Sequence, residues 1–251
     1  MKRFLPLFFL LVPGALAQPL EALNAYEAGE FNRAAEYAQT SDSADDLAFA
    51  ARAVLAGAMS TVGGEPGIEQ LKRAEALARQ ALEIESRHAE GRLQLAISLS
   101  LQARPMSNRR VMRTGLGKKA KELADTILSE DPENTYAHGL LAVWNIEVLR
   151  RGGRIGARIM GASRRAGREH YEAATLIAPD DGALHWQWAR VLAATNARKF
   201  RDEINTALKA SIAAKTDDAL ERTMQDRAAM LLEAMQTGTS KEVQALAASL
   251  L

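Results

Sequence analysis

Apolar residues recur along most of this chain at three- and four-residue spacing. Ile68, Leu71, Ala74, Leu77, Ala78, Ala81 and Leu82 mark one face of a helix that ends near residue 85. Phe200, Ile204, Leu208 and Ile212 do the same over about 199–213, and Leu220, Met224, Met230 and Leu231 over about 217–236. Leu20, Leu23 and Tyr26 line an opening helix with Pro19 in its first turn. Gly29 then makes a tight turn into a helix over about 31–39, with Ala34, Ala35 and Ala38 inward. Further helices are predicted over about 44–61, 88–102, 134–151, 163–177 and 181–195, and one ends at 130, before Pro132. Thr239-Ser240-Lys241-Glu242 reads as a capping box for a short last helix. Twelve helices would pair into six hairpins. Long alternating runs of β-branched residues are absent, so no sheet is expected.

Three of these helix junctions are copies of one pattern: 81-ALEIESRHAEGRLQLAISL-99, 127-ILSEDPENTYAHGLLAVWN-145 and 174-ATLIAPDDGALHWQWARVL-192. Ser86, Pro132 and Pro179 align at spacings of 46 and 47 residues. Leu95, Leu141 and Trp188 keep that register, as do Ala96, Ala142 and Ala189, and Ala74, Ala120 and Gly167. A helical period of this size reads as a solenoid of hairpins, each packed on its neighbours.

Ala25-Tyr26-Glu27-Ala28-Gly29-Glu30-Phe31-Asn32-Arg33-Ala34 and the acidic-Pro junctions Asp131-Pro132-Glu133-Asn134 and Pro179-Asp180-Asp181 resemble the tetratricopeptide repeat family. The resemblance implies an all-α fold, an α-solenoid of about six antiparallel helical hairpins wound as a right-handed superhelix. It also implies a concave groove, lined by the first helix of each hairpin, that holds a protein or peptide. By register, Tyr136, Val143, Glu147, Trp186 and Arg190 would face that groove. Trp188 aligns with Leu95 and Leu141 and belongs to the core, whereas Trp144 fits either place.

The family's usual repeat is about 34 residues, so about a dozen extra residues sit in each of two successive repeats. They fall at about 103–121 and 149–168 and would project from one edge. Each insert holds seven Lys or Arg and no Asp or Glu. Arg109, Arg110, Arg113 and Lys118 in the first, and Arg150, Arg151, Arg154 and Arg158 in the second, form a candidate basic edge. Val111, Met112, Leu116, Ile155, Ile159 and Met160 are interleaved with them, a mixture suited to solvated loops or to an anionic lipid or glycan surface.

Composition changes this picture at three points. Residues 18–100 carry 7 basic and 13 acidic residues and 101–170 carry 14 and 7, so a near-neutral chain has a basic middle. Met1-Lys2-Arg3, the apolar run from Phe4 to Val12, and Ala15-Leu16-Ala17 read as an export signal over residues 1–17, cleaved after Ala17. The repeat domain then spans 18–251 and is expected in the periplasm or outside the cell, which disfavours nucleic acid as a partner. The absence of Cys rules out disulfides and thiolate chemistry.

Catalytic patterns fail on spacing. Gly115-Leu116-Gly117-Lys118 is too short for a phosphate loop, and no Gly-x-Ser-x-Gly elbow occurs. His138 and His185 share a repeat position and would stand a helix pair apart, too far to share an ion. No cofactor or metal is expected. The sequence therefore reads as a non-catalytic scaffold or adaptor that binds protein or peptide. The alternative is a peripheral envelope component resting its basic edge on anionic lipid or glycan.

Overall fold

The computed structural model describes residues 19–61, 66–216 and 218–250. The segment read as an export signal, residues 62–65, Asp217 and Leu251 lie outside the described residues. Among the described residues the chain is all-α, with thirteen helices and no strand. They are α1 (Leu20–Glu27), α2 (Phe31–Ala38), α3 (Ala44–Ser60), α4 (Ile68–Ile84), α5 (Ala89–Ala103), α6 (Asn108–Thr114), α7 (Leu116–Glu130), α8 (Thr135–Met160), α9 (Arg164–Ile177), α10 (Gly182–Asn196), α11 (Arg201–Ala213), α12 (Ala219–Thr237) and α13 (Ser240–Ser249).

Their packing follows from composition. α3 buries twelve of its 17 residues, seven of them Ala, whereas α9 buries only Gly167 and Ala174. A helix buried on most faces must lie inside, and one with a single buried stripe must lie outside. Accordingly α3, α5, α8 and α10 pack on one another in succession, and each pairs outward with α4, α7, α9 or α11. α12 packs on α10 and then returns to α3, with a further contact to α1. The inner helices thus form a closed circuit. Gly29, at φ +82°, sits where an added Cβ would come within 2.9 Å of the Ala219 Cβ, so this glycine permits the approach of the α1–α2 turn to α12.

The repeated junction is a repeated hydrogen-bond device. The Ser86 carbonyl accepts from Arg92 Nη2 at 2.9 Å, that of Pro132 from His138 Nε2 at 3.0 Å, and that of Pro179 from His185 Nε2 at 2.8 Å. Two residues after each junction position stands an N-cap. His88 Nδ1 accepts from the Gly91 N–H, Asn134 Oδ1 from Ala137 and Asp181 Oδ1 from Leu184. Each cap stabilises its helix by about 1 kcal/mol. Leu95, Leu141 and Trp188 are all at most 2% exposed, so the register seen in sequence is a register of core positions. Ser163, Asp218 and Thr239 cap α9, α12 and α13, the last with the predicted Glu242 capping box.

Two differences from the sequence reading concern the inserts. The first contains a helix of its own, α6, capped by Ser107 and closed by Gly115 at φ +71°. The second does not begin with a loop: α8 continues to Met160 across a break at Gly153, where φ is 59° and ψ is −160°. That backbone region is open to glycine alone, which is why Gly152-Gly153 looked like the end of a helix.

Candidate binding site

The inner helices and the two inserts border a cavity of about 510 Å3 that is partly open to solvent. α8 supplies its longest wall. Tyr136, Leu140, Val143 and Glu147 recur at helical spacing and lie on the cavity face. α10 adds Leu184, Gln187 and Arg190, α5 adds Ile97, Leu101 and Arg104, and Met59 and Met224 come from α3 and α12. Gly139 lets α8 and α10 meet closely, since a Cβ there would stand 3.0 Å from Leu184 Cδ1. From Tyr136 to Arg151 the wall is about 22 Å long at 1.5 Å per residue.

The middle of the cavity is apolar and its two ends are charged. At one end Tyr136 has its phenol pKa raised by burial and then by the Asp181 carboxylate, with Glu221 and Glu90 adding and Arg52 opposing. Arg52 pairs with Glu90 at 2.6 Å. Tyr26 behaves likewise, raised by burial and by Asp218. At the other end stand Arg104, Glu147, Arg151 and Arg190. Burial alone would raise the Glu147 carboxyl, but hydrogen bonds from Arg150 and the charges of Arg150, Arg190 and Arg104 bring it below the usual range. Arg150 donates to both Glu147 oxygens at 2.8 and 2.5 Å. Arg104 donates to the Ala248 carbonyl and Arg190 to Gln187. Three further guanidinium groups, those of Arg104, Arg151 and Arg190, thus meet the Glu147 carboxylate at this end.

Four of the five residues expected in a groove, Tyr136, Val143, Glu147 and Arg190, therefore line one cavity. Trp186 does not, and that expectation is corrected. It is 0% exposed and packs into a core with Ile146, Trp188 and Leu192. The α10 positions that reach the cavity are 183, 184, 187 and 190, and residue 186 falls off that stripe into the helix-packing side. Trp188 is also core, stacked on Tyr171 at 4.7 Å. Trp144 borders the cavity and donates its indole N–H to the Gly117 carbonyl at 2.8 Å.

The candidate basic edge divides. Arg109, Arg110, Arg113, Arg154 and Arg158 are exposed and carry no ion pair among the described residues. Lys118 reaches Glu122 at 3.6 Å, and Arg150 is committed to Glu147. Arg151 does not belong to the edge at all. It turns inward and donates to the Ala103 carbonyl at 2.9 Å and to the Met106 carbonyl, closing the C-terminus of α5. The Asn108 side chain in turn donates to the Arg151 carbonyl at 2.7 Å, which ties the first insert to the second. Val111, Met112, Ile155, Ile159 and Met160 from the tied inserts all border the cavity.

The histidines are occupied by the scaffold. A carbonyl can only accept, so His138 and His185 carry their hydrogens on Nε2. His138 Nδ1 then accepts from His170 Nδ1 at 2.9 Å, and His185 Nδ1 accepts from the Tyr171 hydroxyl at 2.7 Å. Among the described residues no three His, Asp or Glu side chains converge on a common point, and no helix is long and apolar enough to cross a membrane. Periodicity could not reveal Arg104, Met59 and Met224 as cavity residues. Met59 and Met224 come from α3 and α12, whose contact is long-range in sequence, and Arg104 lies just past the end of α5. No protein-family model matches this chain, and no curated protein matches it in sequence.

Proposed function

We propose that this chain is an exported, non-catalytic binding protein that holds a single extended apolar chain with an anionic head inside its ring of inner helices. Its scaffold is an α-solenoid of about six antiparallel hairpins, wound as a right-handed superhelix of tetratricopeptide type and closed upon itself. The three equivalent junction clamps support the repeat reading. The cavity carries the functional one. Its volume falls within the range of small-molecule sites, and its lining is apolar with a few polar groups gathered at the ends. The closure of α12 onto α3 and α1 favours a slender ligand over a folded partner, and guanidinium groups line the end where a carboxylate or phosphate would sit. An apolar peptide segment is the second reading, supported by the family resemblance.

Titration of the purified protein with stearic acid carrying an anthroyloxy fluorophore tests this. Saturable binding is expected, weakened by Val143→Trp and by Leu140→Phe, which fill the cavity, with circular dichroism confirming that each variant folds. The free acid should bind the parent about tenfold more tightly than its methyl ester, the effect of one charge-assisted hydrogen bond. Absence of saturable binding by the parent, or equal binding of acid and ester, overturns the reading. Competition by apolar peptides but not by fatty acid would favour the peptide.

A further inference from the structure

The two inserts leave apolar and cationic side chains together in solvent. Ile155 is 77% exposed, Ile159 64% and Met112 50%, and all three stand at the open rim of the cavity. A globular surface rarely leaves residues of this kind clustered without a partner. Arg109, Arg110, Arg113, Arg154 and Arg158 accompany them, and no acidic side chain occurs in either insert to oppose them. The arrangement is built rather than incidental. Gly153 breaks α8 with a backbone conformation only glycine adopts, Gly161 ends the segment at φ +71°, and Asn108 fastens the other insert beside it. Ile155 and Ile159 lie between the Gly153 break and Gly161.

We infer that this surface docks on an anionic lipid bilayer, with the arginines at the headgroups and Met112, Ile155 and Ile159 in the interface, so that the cavity mouth opens against the membrane. A basic, apolar face without a spanning helix fits a peripheral attachment. The docking rests on the exposed inserts and stands without the cavity reading. Combined with that reading, it makes the bilayer the source or the destination of the bound chain.

Co-sedimentation with vesicles of phosphatidylglycerol and phosphatidylcholine tests the docking directly. The parent protein should pellet with mixed vesicles, stay in solution with pure phosphatidylcholine, and be released by high salt. The contribution of one cation near an anionic surface converts to about a fivefold change in partition. Combined Arg109→Glu, Arg110→Glu, Arg154→Glu and Arg158→Glu should therefore lower binding by more than about a hundredfold. Ile155→Ser with Ile159→Ser should weaken it at unchanged charge. All six positions are exposed, and thermal melts should confirm intact folds. Failure of the parent to pellet with anionic vesicles, equal pelleting with neutral ones, or retention on a sulfated glycan column without vesicle binding overturns the inference. Fluorescent fatty-acid binding in the same preparations separates the two readings. Lost docking with retained acid binding removes the membrane alone, and the reverse removes the cavity ligand alone.

Discussion

At the scale of single residues, the repeated junction shows how side chains of different type can fill one structural role. Arg92, His138 and His185 each donate to the carbonyl six residues before them. Histidine does this only through one nitrogen, and the other is left to find a donor. His138 finds it in His170, and the pair then depends on pH. Burial, followed by the nearness of His138, lowers the His170 pKa from its ordinary 6.5. A group depressed in the folded state binds fewer protons there than in the unfolded chain. Its contribution is therefore complete above pH 6.5 and is lost as pH falls from there through the depressed value. His170→Gln keeps a donor toward His138 but cannot titrate. The fall in melting temperature between pH 7.5 and pH 5.5 should be smaller in this variant than in the parent, at about 2–4 °C for each kcal/mol relieved. Equal falls in calorimetric scans of the two proteins would show that the pair does not sense pH.

At the scale of elements, the sequence disclosed most helices because each must bury a stripe, and a stripe is a local pattern. α4 and α11 were legible from Leu71, Ala74, Leu77 and from Ile204, Leu208 for that reason, and the junction register located equivalent core positions in three hairpins. The inserts were not legible. α6 buries none of its residues, so no periodicity announced it, and α8 crosses a glycine pair that ordinarily stops a helix. Trp186 was misplaced because the register shared by three repeats fixes a depth along the helix, whereas groove or core is decided by rotation about it. The break in α8 can be tested with two glycines three residues apart. Gly153→Ala meets no neighbour within 4 Å but must adopt a positive φ, so it should cost about 1–3 kcal/mol. Gly156→Ala meets no neighbour either and lies in helix, so it should stabilise by about 0.5–1 kcal/mol. Thermal melts that move in opposite directions check this, and a stabilised Gly153→Ala protein would show that the break is dispensable.

At the scale of the whole molecule, closure is what distinguishes this chain from an open stack. In an open stack each repeat feels only its neighbours, so damage at one end stays there. Here the Arg227 guanidinium leaves α12 and donates to the Met59 carbonyl at 2.7 Å and the Thr61 carbonyl at 3.1 Å, satisfying the C-terminal end of α3. Arg222 donates to the Glu27 carbonyl at 2.9 Å and fastens α1 to the same helix. Burial lowers the Arg227 pKa, a cost that its hydrogen bonds offset. Arg227→Met preserves much of the aliphatic volume but removes the donors to carbonyls at the part-buried end of α3, a loss of about 0.5–1.5 kcal/mol per hydrogen bond. Because Met59 and Met224 face the cavity from the two helices that Arg227 joins, the loss should reach beyond α12. Hydrogen exchange followed by mass spectrometry should show faster exchange in α12, in the last turn of α3 and in α1, with α9 unchanged. Fatty-acid affinity should fall in the same variant. Faster exchange confined to α12 and its chain neighbours α11 and α13, with α3 and ligand affinity untouched, would mean that the circuit is only a contact between two ends and that the cavity does not depend on it.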